Sequence, residues 1–365
     1  MRYLIITSEF PPGPGGIGKH AFCLAKALLH NGVDVHVICN MDYTTEKEIR
    51  LFLDTVPKQI TVHRIKRTGI DTYLNRIRTI FKVYAKCPFD KVIVSGQFSL
   101  WMGYWLKQRY KRKIKVEAFI HGSELYIGGR LKKYLTTKSI KALDKLYPVS
   151  SYTQKQIKDK SKGAVKIIPN GLDIEEWNNS ENLQSFQWDG FPNLLTVGSY
   201  SVRKGQMNVI NALPEIIKTY PRVHYHIVGK VSDTNELKNY ITQLGLQNHV
   251  TAHGILNTTD LKRAYKSADI FCLLSEHTNN GDFEGFGISI LEANIMGIAA
   301  IGSRDSGIED AIQEGYNGYL VNPKDIAEVT NAVDKVIKSD KTTLSQQCIV
   351  WANKFDWNKI VKDIL

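Results

Sequence analysis

Apolar residues in this chain come in short continuous runs, separated by stretches with helical spacing. RYLIIT (2–7) and VDVHVIC (33–39) have the length of buried strands. Between them, Ile17–Asn31 reads as a helix ended by Asn31-Gly32. Ile60–Ile65, Lys91–Ser95 and Val116–Ile120 read as further strands, and Tyr73–Lys86 and Ser99–Tyr110 as helices. The pattern then restarts. Leu194–Val197, Tyr225–Val228, Val250–Ala252, Ile270–Leu274 and Ala299–Ile301 are strand-like. Gln206–Thr219, Asn235–Leu244, Thr259–Ser267 and Ile288–Met296 are helix-like. Strands alternating with helices predict parallel sheets covered on both faces. The polar stretch Asn178–Gly190 reads as a linker between two α/β units, 1–180 and 190–350, followed by a helical segment, Trp351–Leu365. Ligands of such sheets bind beyond the carboxyl ends of the strands, so a cleft between the two units is the expected site.

Composition supports this picture. The 365 residues suffice for two domains, and 43% hydrophobic with 23% charged residues fits a globular chain and excludes disorder, collagen and coiled coil. No stretch reaches the roughly 18 apolar residues of a membrane span, and the N-terminus turns polar too early for a signal peptide. Five scattered cysteines without a C-x-x-C pair predict reduced thiols and a cytoplasmic location.

Charge adds an asymmetry. Residues 1–150 hold 26 Lys and Arg against 11 Asp and Glu, a net of +15, whereas 151–365 hold 22 against 25, a net of −3. A polyanionic partner is expected for the first half: nucleic acid, an anionic membrane or a phosphorylated substrate. Arg76, Arg78 and Lys82 surround the apolar positions Leu74, Ile77, Phe81 and Tyr84 of one predicted helix. A second basic cluster, Lys107 to Lys115, follows the aromatic run 101–105. Either segment suits an anionic lipid surface, and either suits a core-facing helix with a solvated face.

Two segments carry candidate chemistry. Gly13-Pro14-Gly15-Gly16-Ile17-Gly18 matches G-x-G-x-x-G between a strand and a helix, with Asp42 where a dinucleotide-binding acid would lie. The five residues Ser8–Pro12 intervene after the strand, and Pro14 stiffens the turn, against a dehydrogenase loop. A backbone-amide loop approaching an anion or acceptor at a helix N-terminus fits better. In Glu284-Gly285-Phe286-Gly287-Ile288-Ser289-Ile290-Leu291-Glu292, a strand leads into a helix. Eight helical steps would set the two acids about 80° apart. Glu284 is therefore expected in the loop and Glu292 in the helix, where a carboxylate accepts bonds from vicinal sugar hydroxyls.

Taken in order, the motifs resemble those of the family-4 glycosyltransferases, retaining enzymes of the two-Rossmann-domain GT-B fold. They are Gly15-Gly16-Ile17-Gly18, His121-Gly122-Ser123-Glu124, Val149-Ser150-Ser151-Tyr152-Thr153 and Pro169-Asn170-Gly171-Leu172-Asp173. Val197-Gly198 with Arg203-Lys204-Gly205, Ile227-Val228-Gly229, the acidic segment and Ser306-Gly307-Ile308-Glu309 follow. The resemblance implies that the first domain binds acceptor, with Gly15, Gly18, Arg76, Arg78 and Lys82 on its acceptor or membrane side. It implies that the second domain binds donor and that the C-terminal helix crosses back to the first. His121 and Glu284 would lie at the reacting centre. Arg203, Lys204, Gly16 and the backbone of Phe286, Gly287 and Ile288 would hold the donor's diphosphate, and Glu292 its ribose. The family's usual Arg after Val-Gly is Ser199 here, and Arg203 is expected to replace it. No cofactor is implied beyond the nucleoside-diphosphate sugar, and with no D-x-D motif no metal is expected.

The activity so implied is metal-independent hexosyl transfer to a glycan or lipid-linked hydroxyl, in the assembly of cell-envelope polysaccharide, lipopolysaccharide or glycolipid. A peripheral position on the inner face of the membrane goes with it. A sugar-nucleotide epimerase of the same architecture is the alternative enzyme. A nucleic-acid-binding protein is the alternative of another class, and no helix-turn-helix, RNP or zinc pattern supports it.

Overall fold

A computed structural model describes residues 1–365 except 14, 42–43, 67–70, 127 and 179–182, and the backbone alone of 73 and 112. Pro14, Asp42, part of the expected linker and the Arg112 side chain thus lie outside the described residues. The chain forms two compact units, Met1–Gly171 with Trp357–Leu365, and Leu172–Asp356.

The first unit is built from β1 (Arg2–Thr7), α1 (Gly16–His30), β2 (Asp34–Met41), α2 (Glu46–Leu53), β3 (Ile60–Lys66), α3 (Asp71–Lys86) and β4 (Lys91–Ser95). Then come α4 (Gln97–Tyr110), β5 (Lys115–Ile120), α5 (Arg130–Ala142), β6 (Lys145–Pro148), α6 (Ser151–Ile157) and β7 (Ala164–Val165). The strands form one parallel sheet in the order β3-β2-β1-β4-β5-β6-β7. In β1, Ile5 sits between Val37 of β2 and Ile93 of β4 and is fully buried, as a continuous apolar run requires of a central strand.

The second unit holds α7 (Ile174–Asn178), β8 (Asn193–Val197), α8 (Gln206–Thr219), β9 (His224–Val228), α9 (Thr234–Gln243), β10 (Val250–Gly254) and α10 (Thr258–Ser267). It continues through β11 (Ile270–Leu273), α11 (Ile288–Ile295), β12 (Ala300–Ser303), β13 (Gly318–Val321), α12 (Ile326–Lys338) and α13 (Lys341–Ala352). Its parallel sheet runs β10-β9-β8-β11-β12-β13. Asp233, Asn257, Asp325 and Asp340 accept backbone N–H groups at the starts of α9, α10, α12 and α13, which fixes where those helices begin. Both sheets reverse their strand order beside the first strand of the unit, at β1/β4 and at β8/β11. These are the switch points where doubly wound sheets bind ligands.

The boundary falls elsewhere than the polar composition suggests. The chain leaves the first unit at Gly171, and residues after it belong to the second. Phe186 donates its N–H to Ser267 and lies under the Arg263 guanidinium at 4.1 Å, while Trp188 stacks on His226 at 3.6 Å. Phe186 and Trp188 thus anchor residues 183–190 to the second unit. The return also comes later than residue 351: α13 stays with the second unit, and α14 (Trp357–Ile360) packs on the first. Trp357 is buried there, 5.0 Å from the ring of His20 and 6.4 Å from that of Phe119.

Candidate active site

In the second unit Arg203, Lys204 and Glu284 meet at the carboxyl ends of β8 and β11. After β8, Ser201 caps a tight 3-10 turn, Val202–Lys204, by accepting the Lys204 N–H at 3.3 Å. Gly205 closes that turn with φ 68°, and a Cβ there would stand 1.6 Å from the Leu274 carbonyl oxygen. Only glycine lets the loop pass so close to the end of β11. The turn aims Lys204 Nζ at Glu284 Oε2, 2.8 Å away. The Arg203 guanidinium bonds the same carboxylate and lies 3.5 Å from Asp282.

Glu284 precedes α11. Burial pushes its carboxyl pKa up, but Lys204, Arg203 and the Gly287 N–H outweigh that and hold it below its ordinary value. Asp282 goes the other way: burial raises it more than Arg203 lowers it. Gly287, at φ 87°, is the N-cap of α11 and offers no side chain. No side chain caps α11, and the Ile290 N–H donates to the Gly287 carbonyl at 2.9 Å, so an anion at this helix start would meet the Ile288 and Ser289 N–H groups. Ser289 in that turn is buried, and among the described residues its hydroxyl has no hydrogen-bond partner. Phe286 turns its ring inward, 5.7 Å from Phe355, so its backbone rather than its side chain faces the loop.

Glu292 points elsewhere. It is buried, and Tyr265 of α10 donates its hydroxyl to it at 2.7 Å. Burial and then the carboxylate push the Tyr265 pKa well above its usual value, so the phenol stays a donor.

In the first unit His121 follows β5. Its Nε2 lies 2.9 Å from Ser95 Oγ at the end of β4, and its backbone N–H donates to the Glu124 carboxylate at 2.7 Å. Burial lowers its imidazole pKa to about 4, so the ring is neutral at pH 7. The ring of His20, on α1, stands 4.8 Å away. Gly15 is the N-cap of α1 and Gly16 its first residue, while Gly18 is buried against the backbone of Glu9 and Phe10. Three of the basic residues assigned to α3 separate. Arg78 and Lys82 are exposed, whereas Arg76 is buried with its guanidinium 4.2 Å over Phe98. A cation stacked on an aromatic face inside the unit is not a surface contact.

Asp282, Ser289, Tyr265 and Ser95 were not found by sequence reasoning. Ser289 is legible as the hydroxyl in the first turn after Gly-Phe-Gly, and Asp282 as an acid two residues before Glu284; Tyr265 and Ser95 come from distant positions and carry no local signal.

Residues 14–176 match the model of Glycosyltransferase Family 4, and residues 178–353 that of Glycosyl transferases group 1. The uncharacterized glycosyltransferase MJ1607 of Methanocaldococcus jannaschii is 25% identical over all of this chain and 96% of its own length. The phosphatidyl-myo-inositol mannosyltransferase of Mycobacterium tuberculosis is 26% identical over 54% of this chain and 52% of its own. Among solved structures, sucrose-phosphate synthase from Thermosynechococcus elongatus superposes with a TM-score of 0.80, at 18% identity, over 100% of this chain and 97% of its own. Anabaena HepE in complex with UDP-glucose superposes with a TM-score of 0.77, at 18% identity, over 99% and 98%. These last two show the fold.

Proposed function

Because the chain belongs to the family-4 glycosyltransferases and has the GT-B fold, we propose that it moves a hexose from a nucleoside-diphosphate donor to an acceptor hydroxyl with retention and without a metal. One observation carries the donor assignment. At the switch point of the second sheet, Lys204, Arg203, Glu284 and the N-terminus of α11 share one place. A departing diphosphate needs fixed positive charge and backbone dipoles. The two cations are now neutralised by Glu284 and Asp282. A diphosphate competes for them and frees the Glu284 carboxylate for sugar hydroxyls. Glu292, held by Tyr265, takes the ribose.

In the transfer the acceptor oxygen bonds the anomeric carbon on the face the donor phosphate leaves. The carbon–phosphate oxygen bond breaks, and the acceptor proton passes to that phosphate. Neutral His121 serves as a hydrogen-bonding group beside the reacting sugar rather than as a cation. The net +15 of residues 1–150 suits a phosphate-bearing, lipid-linked or glycan acceptor of the cell envelope, handled at the cytoplasmic face of the membrane. The mannosyltransferase relative, named for phosphatidyl-myo-inositol, and the UDP-glucose complex of HepE support acceptor and donor at the level of class.

Melting shifts with UDP-, GDP-, ADP- and dTDP-sugars test the reading. One nucleotide class raises the wild-type melting temperature, and saturation at about 100 times Kd is worth roughly 2.7 kcal/mol. Lys204→Ala abolishes the shift while remaining folded. If no sugar nucleotide stabilises the wild type, or Lys204→Ala responds equally, the donor assignment fails.

A further inference from the structure

Helix α5 buries little apolar surface and keeps its cations outside. Thr136, Ser139 and Ile140 are its buried residues. Thr136 Oγ1 accepts from Trp101 Nε1 at 3.1 Å and from Gln97 Nε2 at 3.3 Å, both on α4. The outward side holds Leu131, 70% exposed, and Tyr134, 60% exposed. Its sequence, RLKKYLTTKSIKA, contains Arg130, Lys132, Lys133, Lys138 and Lys141 and no carboxylate. The apolar side chains continue onto α4. Lys138 Nζ stands 5.5 Å over the Tyr104 ring and 5.9 Å over that of Tyr134, and Tyr104 lies 6.0 Å from Trp105, which is 55% exposed. Scattered exposed apolar residues are ordinary. A strip from Leu131 through Tyr134 and Tyr104 to Trp105, set among cations, is not.

We propose that this α4–α5 face lies on an anionic lipid bilayer, with Leu131, Tyr134 and Trp105 entering the headgroup layer and the α5 lysines meeting lipid phosphates. The proposal rests on the membrane-side reading of the acceptor and gives it a surface, one apart from the α3 positions that sequence suggested. Tyr and Trp favour the bilayer interface, where one end of the ring is apolar and the other wet. Lysines beside them add attraction to anionic lipid. A protein interface would be depleted of lysine at its centre. A second copy, paired through the same patch, would set cations against cations.

Co-sedimentation of the full chain with phosphatidylcholine vesicles, with and without phosphatidylglycerol, tests this in the absence of any sugar nucleotide. The wild type binds the anionic vesicles, and binding falls as salt rises. Leu131→Ser with Tyr134→Ser weakens it about tenfold or more. Lys133→Glu with Lys141→Glu weakens it about fivefold for each cation lost. Arg78→Glu with Lys82→Glu, on α3, leaves it unchanged. Unaltered melting temperatures establish that the variants fold. Failure of the wild type to bind, or equal binding to neutral vesicles, overturns both the membrane reading and this surface. Normal binding by the α5 variants, or loss in the α3 pair, overturns the surface alone. Self-association relieved by Leu131→Ser with Tyr134→Ser overturns it in favour of a second copy. The donor assignment is read separately, from the sugar-nucleotide melting shift of the same variants.

Discussion

At the residue scale, the two acids of the second unit do different work because they are buried against different partners. Glu284 faces two cations and a backbone N–H and stays ionised despite burial. Glu292 faces a phenol that has no tendency to ionise. Tyr265→Phe keeps the ring packing and removes the donor. It should cost about 1–3 kcal/mol, because a buried carboxylate loses a bond. It should also weaken sugar-nucleotide binding, and denaturant midpoints with binding titrations check both. An unchanged affinity would show that Tyr265 does not position Glu292. Lys204, Arg203 and Glu284 were legible in the sequence because each sits within a few residues of a glycine-marked turn. Tyr265 was not, because it lies 27 residues from Glu292 and only the packing of α10 against α11 joins them.

At the element scale, the site depends on turns that admit no side chain. Gly205→Ala places a Cβ into the Leu274 carbonyl and forces a left-handed residue with a side chain. The conformation alone costs about 1–2 kcal/mol, and relief of the overlap must displace the Arg203-Lys204 turn. The expected result is a lower melting temperature together with a lost sugar-nucleotide shift. A variant that loses stability but keeps the shift would separate the loop's shape from its function. Central strands were readable, since β1, β4 and β8 are continuous apolar runs. Helix α5 carries no such signal: its outward Leu131 and Tyr134 and inward Thr136 and Ser139 give no apolar stripe facing a core. Leu74 misleads in the same way. It shares helical spacing with Ile77, Phe81 and Tyr84, yet it is 48% exposed while those three pack on the core.

At the scale of the whole molecule, buried neutral histidines set an acid limit on stability. Burial lowers His121 to about 4 and His226 to about 3, and it lowers His20 well below its usual value, with His121 adding to the effect. The unfolded chain protonates these rings near pH 6.5 while the folded chain does not. Their contribution is fully present above that pH and is lost as pH falls toward 4. Each ring costs up to about 1.4 kcal/mol per pH unit within the window. Unfolding free energies at several values between pH 7 and 4.5 should therefore decline more steeply than one group allows. A flat profile would contradict the burial of these rings. The returning C-terminal segment makes a second global prediction. Trp357→Ala empties a site against His20 and Phe119 and should destabilise the first unit by about 3–5 kcal/mol, measured by denaturant unfolding.

The sequence by itself determined the two α/β units, their parallel sheets and the order of the motifs, because each rests on local hydrophobic period or on a glycine-marked turn. Only the tertiary structure decided that Glu284 is ion-paired to Lys204 and Arg203, that Glu292 is held by Tyr265, that Arg76 is inside, and that the chain changes units at Gly171 and again at Trp357. Those facts depend on which distant residues meet once strands align and helices pack, and local periodicity contains no information about that.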